Sequence, residues 1–173
     1  GQQIGLATNG RDAAERIRLE GWDRQDYRTR LAMYEQATEV LENERMAPVV
    51  VDTRRSLEQF HRLRETLARV ELNDGLTFAG LVLEVSNRLP RDATVLALLP
   101  AVPPDTAVAL GNLRRQGYAV SAILIAIPED DRASAFGRLL AEGVEDVRML
   151  NNEAELPALC RQATGEPTPY ALV

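Results

Sequence analysis

The chain contains no lysine: all 20 of its basic residues are arginine. That excludes a Schiff-base lysine and the phosphate-reaching lysine of a P-loop. Arginine used throughout in place of lysine reads as the mark of a GC-rich genome rather than of arginine-based recognition. A single cysteine, Cys160, excludes an internal disulfide and a cysteine-built metal cluster, and it fits a reducing compartment. The single histidine, His61, has no serine or cysteine in an elbow motif near it, so it reads as a helix-surface residue. No apolar run approaches the roughly 18 residues that span a bilayer, and no signal peptide is expected. A net charge of −6 argues against a nucleic-acid partner, whose phosphates demand a basic surface. Nucleotide fingerprints are missing as well: no G-x-G-x-x-G follows a strand, and there is no Walker sequence.

What is present is globular. With 173 residues, 45% of them hydrophobic, the chain can build one domain with a substantial core. Residues 1–163 are expected to form a single α/β domain, followed by a loose tail over 164–173. The stretch QIGLAT at residues 3–8 reads as a strand closed by Asn9-Gly10. Residues 11–22 are ambiguous, and the highly charged residues 23–45 read as a long exposed helix or helix pair. A strand follows at 46–52, marked as an edge by Pro48.

Ser56 can cap a helix whose Leu57, Phe60, Leu63, Leu67 and Val70 form one apolar face. Asn73-Asp74-Gly75 reads as a turn. A second helix carries Phe78, Leu81, Val82, Val85 and Leu89 before Pro90 stops it. Strands are predicted at 93–99, 119–127 and 146–150, separated by helices from Pro104 to Arg115 and around residues 130–143. A terminal helix is predicted over 153–163. Ala133, Phe136, Leu140 and Val144 form the apolar side of the helix near 130–143, and Asp130 or Asp131 is its expected cap. Such alternation implies a mainly parallel sheet flanked by helices, a Rossmann-like three-layer arrangement.

The stretch ATVLALLPAVPPDTAVAL, at residues 93–110, poses the functional question. Ligands of α/β proteins bind beyond the carboxyl ends of parallel strands. There the chain reads Leu99-Pro100-Ala101-Val102, with no acid, hydroxyl or imidazole. Asp105 follows closely, and Asp92, Glu129, Asp130, Asp131 and Asp146 complete the carboxylates near strand ends. Most stand at helix starts, where capping and the helix dipole already account for them. Cys160, beside Leu156 and Leu159, reads as a small buried hydrophobe.

The blocks IGLATNGRDAAERIR, VVVDTRRSLEQFHRLRETLARVELNDGLTFAGLVLEV and RDATVLALLPAVPPDTAVALGNLRRQGYAVSAILI resemble the bacterial domain-of-unknown-function family 58. Its members contain a von Willebrand factor A-like domain. The resemblance covers about residues 4–150 and rests on the order of several blocks.

It implies a doubly wound sheet with one antiparallel edge strand. It also implies a divalent-metal site built from D-x-S-x-S after the first strand, a threonine in a later loop and an aspartate after the fourth strand. QIGLAT resembles the second strand of that fold, so the first strand and its D-x-S-x-S have no counterpart. The threonine loop aligns with Asp74-Gly75-Leu76-Thr77, leaving Thr77 as the one matching ligand, and Pro100 stands near the aspartate position. A neutral threonine alone cannot hold a hard cation against water. The metal site is therefore expected to be degenerate, with no cofactor and no catalytic residue.

The expectation that follows is a non-enzymatic protein-interaction module, the C-terminal portion of a von Willebrand A-like domain and a piece of a longer protein. Asn9, Gly10, Gly75, Thr77, Pro100, Ala101 and Asp105 form its candidate interaction surface at the carboxyl edge of the sheet. Relatives of the family imply a membrane-anchored parent whose cytoplasmic domain works with a MoxR-type AAA+ ATPase in assembly or maturation of other proteins. This segment itself is not expected to insert into the membrane.

With the first strand absent, either the chain is a piece of a longer protein or Ile4–Thr8 pairs directly with residues 93–99. A homodimer through the unpaired strand edges is a consequence to expect. Two other classes of function are open. One is a small-molecule-binding α/β domain using backbone groups near Asn9, Gly75 and Ala101. The other is a metal-dependent hydrolase using carboxylates near Asp105 and Asp130.

Overall fold

A computed structural model describes residues 3–13, 47–72 and 75–163. The helix expected over 23–45, residues 14–22, Asn73-Asp74 and the tail over 164–173 lie outside the described residues. The chain divides into two compact units, Gly1–Pro90 and Arg91–Val173.

In the first unit, β1 (Ile4–Thr8) pairs antiparallel with β3 (Val49–Arg54). A bulge between Ile4 and Leu6 interrupts the register. Gly5 sits in it because a Cβ there would lie 2.8 Å from Thr53 Oγ1 and 2.9 Å from the Val51 carbonyl. β2 (Arg11–Asp12) pairs antiparallel with β4 (Val70–Glu71).

Between these strands runs α1 (Leu57–Arg69), capped by the Ser56 hydroxyl, which accepts from the Gln59 amide at 3.0 Å. α2 (Phe78–Ser86) follows, and its buried Leu81 and Val85 form a small core with Leu76. Ala7, Val50 and Phe78 pack against that core. The strand expected at 46–52 thus begins after Pro48, which fixes φ and removes a ladder donor.

The second unit is a parallel three-stranded sheet in the order β5 (Thr94–Leu99), β6 (Ala119–Ile125), β7 (Asp146–Leu150). Its crossovers are α3 (Pro104–Arg115) and α4 (Glu129–Ala141), which pack on each other. Pro104 opens α3 where a missing N–H costs nothing. Gly117 and Gly143 close the two helices at φ of +97° and +83°, a region that favours glycine. Leu99, Leu110, Leu113, Leu124, Leu139 and Val144 are fully buried and make the core. A short 3-10 turn (Glu153–Glu155) and α5 (Leu156–Ala163) complete the described chain.

Several expectations change. Within its own unit β1 takes β3 as its antiparallel partner, and β5 takes β6. α4 begins on Pro128 with no side-chain cap, and Asp130 and Asp131 lie inside its first turn, where they face the positive helix end. Its buried positions are Ala135 and Leu139, while Leu140 is exposed. On α1 the buried positions are Gln59, Leu63 and Thr66, and Leu57, Phe60 and Leu67 are exposed. Cys160 is exposed, and its neighbour Leu159 takes the buried position.

Candidate functional site

The sequence-predicted surface residues fall into two groups, one in each unit. In the first unit, the loop after β1 meets the loop before α2. Asn9 donates from Nδ2 to the Leu76 carbonyl at 2.9 Å, which ties the two loops together. Gly10 is buried, and its amide donates to the Thr8 hydroxyl at 3.2 Å. A Cβ on Gly10 would overlap Val70 Cγ1 and sit 2.9 Å from the Glu71 carbonyl, so only glycine lets the chain turn from β1 into the short β2–β4 ladder. Thr77 is the N-cap of α2, and its exposed hydroxyl accepts from the Gly80 amide at 3.1 Å. Gly75 stands in the same loop, half-buried.

In the second unit, Pro100 and Ala101 are exposed just past β5, and Val102 turns inward. Asp105 lies in the first turn of α3, and its Oδ1 accepts from the Thr106 amide at 2.9 Å. An acid at that position is what a helix start demands.

Thr77 Oγ1 already accepts a backbone hydrogen bond, and Pro100 offers no side-chain oxygen. Among the described residues, no group of three or more His, Cys, Asp or Glu side chains converges in a way that could hold a metal ion. Asp130 and Asp131 occupy the first turn of α4, and Asp92 is exposed ahead of β5.

Arginine from α4 builds the carboxyl edge of the second unit, which the sequence reading did not anticipate. Arg138 Nη1 donates to the Val102 carbonyl at 2.7 Å and holds the loop after β5. Arg132 Nε donates to the Ile127 carbonyl at 3.2 Å, and its Nη2 donates to Asn151 Oδ1 at 3.1 Å, holding the loops after β6 and β7. Each bond gives a charged donor to a polar group in a loop that follows a strand. Ala126, between these anchors, has φ of +50°, and its amide donates to the Leu150 carbonyl at 2.9 Å. An alanine there costs about 1–2 kcal/mol relative to the right-handed region. Nothing in the sequence marks that strain, because the residue is not glycine.

Two further features lie away from the strand ends. A cavity of about 580 Å³ lies in the first unit along β3 and α1, with Val51, Arg54, Gln59, Arg62, Thr66 and Arg69 on its walls. Arg69 Nε faces Asp12 Oδ2 at 3.4 Å on its rim. His61 also lines it, exposed, with its ring edge-on to Phe60. In the second unit, Ser121 donates to Asp146 Oδ2 at 2.5 Å and Arg148 Nε donates to Asp146 Oδ1 at 3.0 Å. The Ser121 bond, then the Arg148 bond, hold the Asp146 carboxyl below its usual range against a smaller opposing effect of burial.

The described residues define an α/β protein whose parallel three-stranded sheet is flanked by helices. Comparison with protein-family models, with curated proteins and with solved structures finds no match. Among the described residues no helix is long and apolar enough to cross a membrane.

Proposed function

We propose that the chain is a non-enzymatic protein-interaction module of the von Willebrand A-like kind, the C-terminal portion of such a domain with a degenerate metal site. It acts as a cytoplasmic domain of a membrane-anchored protein, beside a MoxR-type AAA+ ATPase, in the assembly or maturation of other proteins. One observation carries the reading. At the strand ends, the polar groups of Asn9, Thr77 and Asp105 are all engaged with the chain's own backbone. What the second unit presents outward past β5 is the neutral, apolar pair Pro100-Ala101, anchored from behind by Arg138. A rigid, uncharged ridge of this sort suits contact with another protein better than chemistry on a small substrate. The antiparallel pairing of β1 with β3 supports the family reading, since that fold carries one antiparallel edge strand.

The test is binding of the purified full chain to the purified MoxR-type ATPase of the same genome, measured by biolayer interferometry. Ala101→Arg places an unpaired charge on the proposed ridge without touching the core, and binding is expected to weaken about tenfold or more. No binding by the natural sequence, or equal binding by the variant, overturns the reading.

A further inference from the structure

Of the asparagines in the chain, Asn9 alone precedes a glycine. That is the most reactive setting for an asparagine side chain, because no Cβ on the next residue crowds its backbone nitrogen. The fold fixes both members of the pair. A Cβ on residue 10 would overlap Val70 Cγ1, so the glycine cannot be exchanged. Asn9 Nδ2 donates to the Leu76 carbonyl at 2.9 Å, a bond that a carboxylate, which only accepts, cannot make. The same contacts restrain the pair from reacting. Ring closure requires the Asn9 side chain to swing onto the Gly10 nitrogen, and that nitrogen to shed its proton. In the folded chain the side chain is tied to Leu76, while the buried Gly10 N–H donates to Thr8 Oγ1 at 3.2 Å.

We propose that Asn9-Gly10 is a modification site: Asn9 deamidates when its clamp to Leu76 opens, and the conversion releases that clamp permanently. The deprotonated Gly10 nitrogen attacks Asn9 Cγ and forms the new C–N bond of a succinimide. The Cγ–Nδ2 bond breaks, and Nδ2 departs as ammonia carrying the proton that Gly10 gave up. Water then adds to either carbonyl of the ring and opens it to aspartate or isoaspartate. Nothing is oxidised or reduced, and water is the co-reactant. The product has an oxygen where Nδ2 stood, so acceptor faces acceptor at Leu76 and the loops after β1 and before α2 lose their tie. Because opening precedes attack, the rate of conversion follows the local stability of that loop pair. This chemistry is independent of the function proposed above.

Peptide mapping of the full chain during incubation at mildly alkaline pH tests the proposal, with a synthetic peptide of residues 6–11 as the unclamped reference. Asn9 is expected to convert in the tryptic peptide ending at Arg11, about tenfold or more slowly than in the reference. Thr8→Val removes the acceptor of the Gly10 N–H and is expected to speed conversion severalfold with unchanged circular dichroism. Conversion in the natural chain at the reference rate overturns the proposal, as does a rate that Thr8→Val leaves unchanged. An Asn9 that stays intact in both chains overturns it too.

Should Thr8→Val lose its fold, the natural chain against the reference still decides. Asn9→Asp installs one product from the start, and hydrogen exchange at Leu76 and Thr77 is expected to quicken in it. Unchanged exchange there overturns the release of the clamp.

Discussion

Asp146 is held ionised by two neighbours of different kinds, and that makes its contribution separable by pH. The Ser121 hydroxyl donates at 2.5 Å, a short charge-assisted bond, while Arg148 approaches from its own strand two residues on. Because the folded carboxyl titrates below its usual value, its stabilisation is present above the unfolded value near 3.8 and is lost as pH falls through the lower folded value. Ser121→Ala removes the larger cause. The side chain of Asp146 is 44% exposed, so solvent screening limits the loss at neutral pH to at most about 0.5 kcal/mol. Urea unfolding at neutral pH is expected to show that small deficit, and at pH 3, below the unfolded value, the deficit is expected to be smaller. A deficit of equal size at both values would mean that Ser121 acts through packing.

At the scale of elements the helix ends divide. Ser56 caps α1 as its place in the sequence suggests, whereas α4 begins on Pro128 without a side-chain cap. Thr77, matched in sequence only as a metal ligand, turns out to cap α2. Its hydroxyl accepts the Gly80 amide and opens α2, whose Leu81 and Val85 build the small core of the first unit. Thr77→Ala is expected to destabilise the chain by about 1 kcal/mol, and Thr77→Ser to restore most of it, as read by thermal unfolding. Equal behaviour of the two variants would remove the cap from the description.

The same chemistry made α3 legible at both ends, through Pro104 at its first turn and Gly117 beyond its last. Helix faces were less legible. Leucine spacing marks α1 as a helix, but the core side is chosen by Gln59, whose Nε2 donates to the Ile4 carbonyl at 2.9 Å and to the Asp52 carbonyl at 2.8 Å. A buried amide that satisfies two strand carbonyls outweighs the burial of Phe60, and no periodicity reveals such a partner. The candidate site divides the same way. The local role of Asp105 follows from its place within a helix start. The arginine anchors of α4 do not, since Arg138 and Val102 are 36 residues apart.

At the scale of the whole molecule, the chain holds two units with different kinds of sheet. The first pairs β1 with β3 and β2 with β4 in antiparallel ribbons, and the second is a parallel sheet with a leucine core. Each unit sends a loop cluster past a strand end, and in each the polar side chains serve the backbone that carries them.

Hydrogen–deuterium exchange of the full chain, with and without the purified ATPase, bears most directly on the central claim that the strand ends are a protein-binding surface. Slowed exchange is expected in Ala101 and Val102 and in the first turn of α3, with Gly75 to Thr77 as the second protected segment. Unchanged exchange in both segments while the ATPase is bound elsewhere, or no protection anywhere, would contradict it.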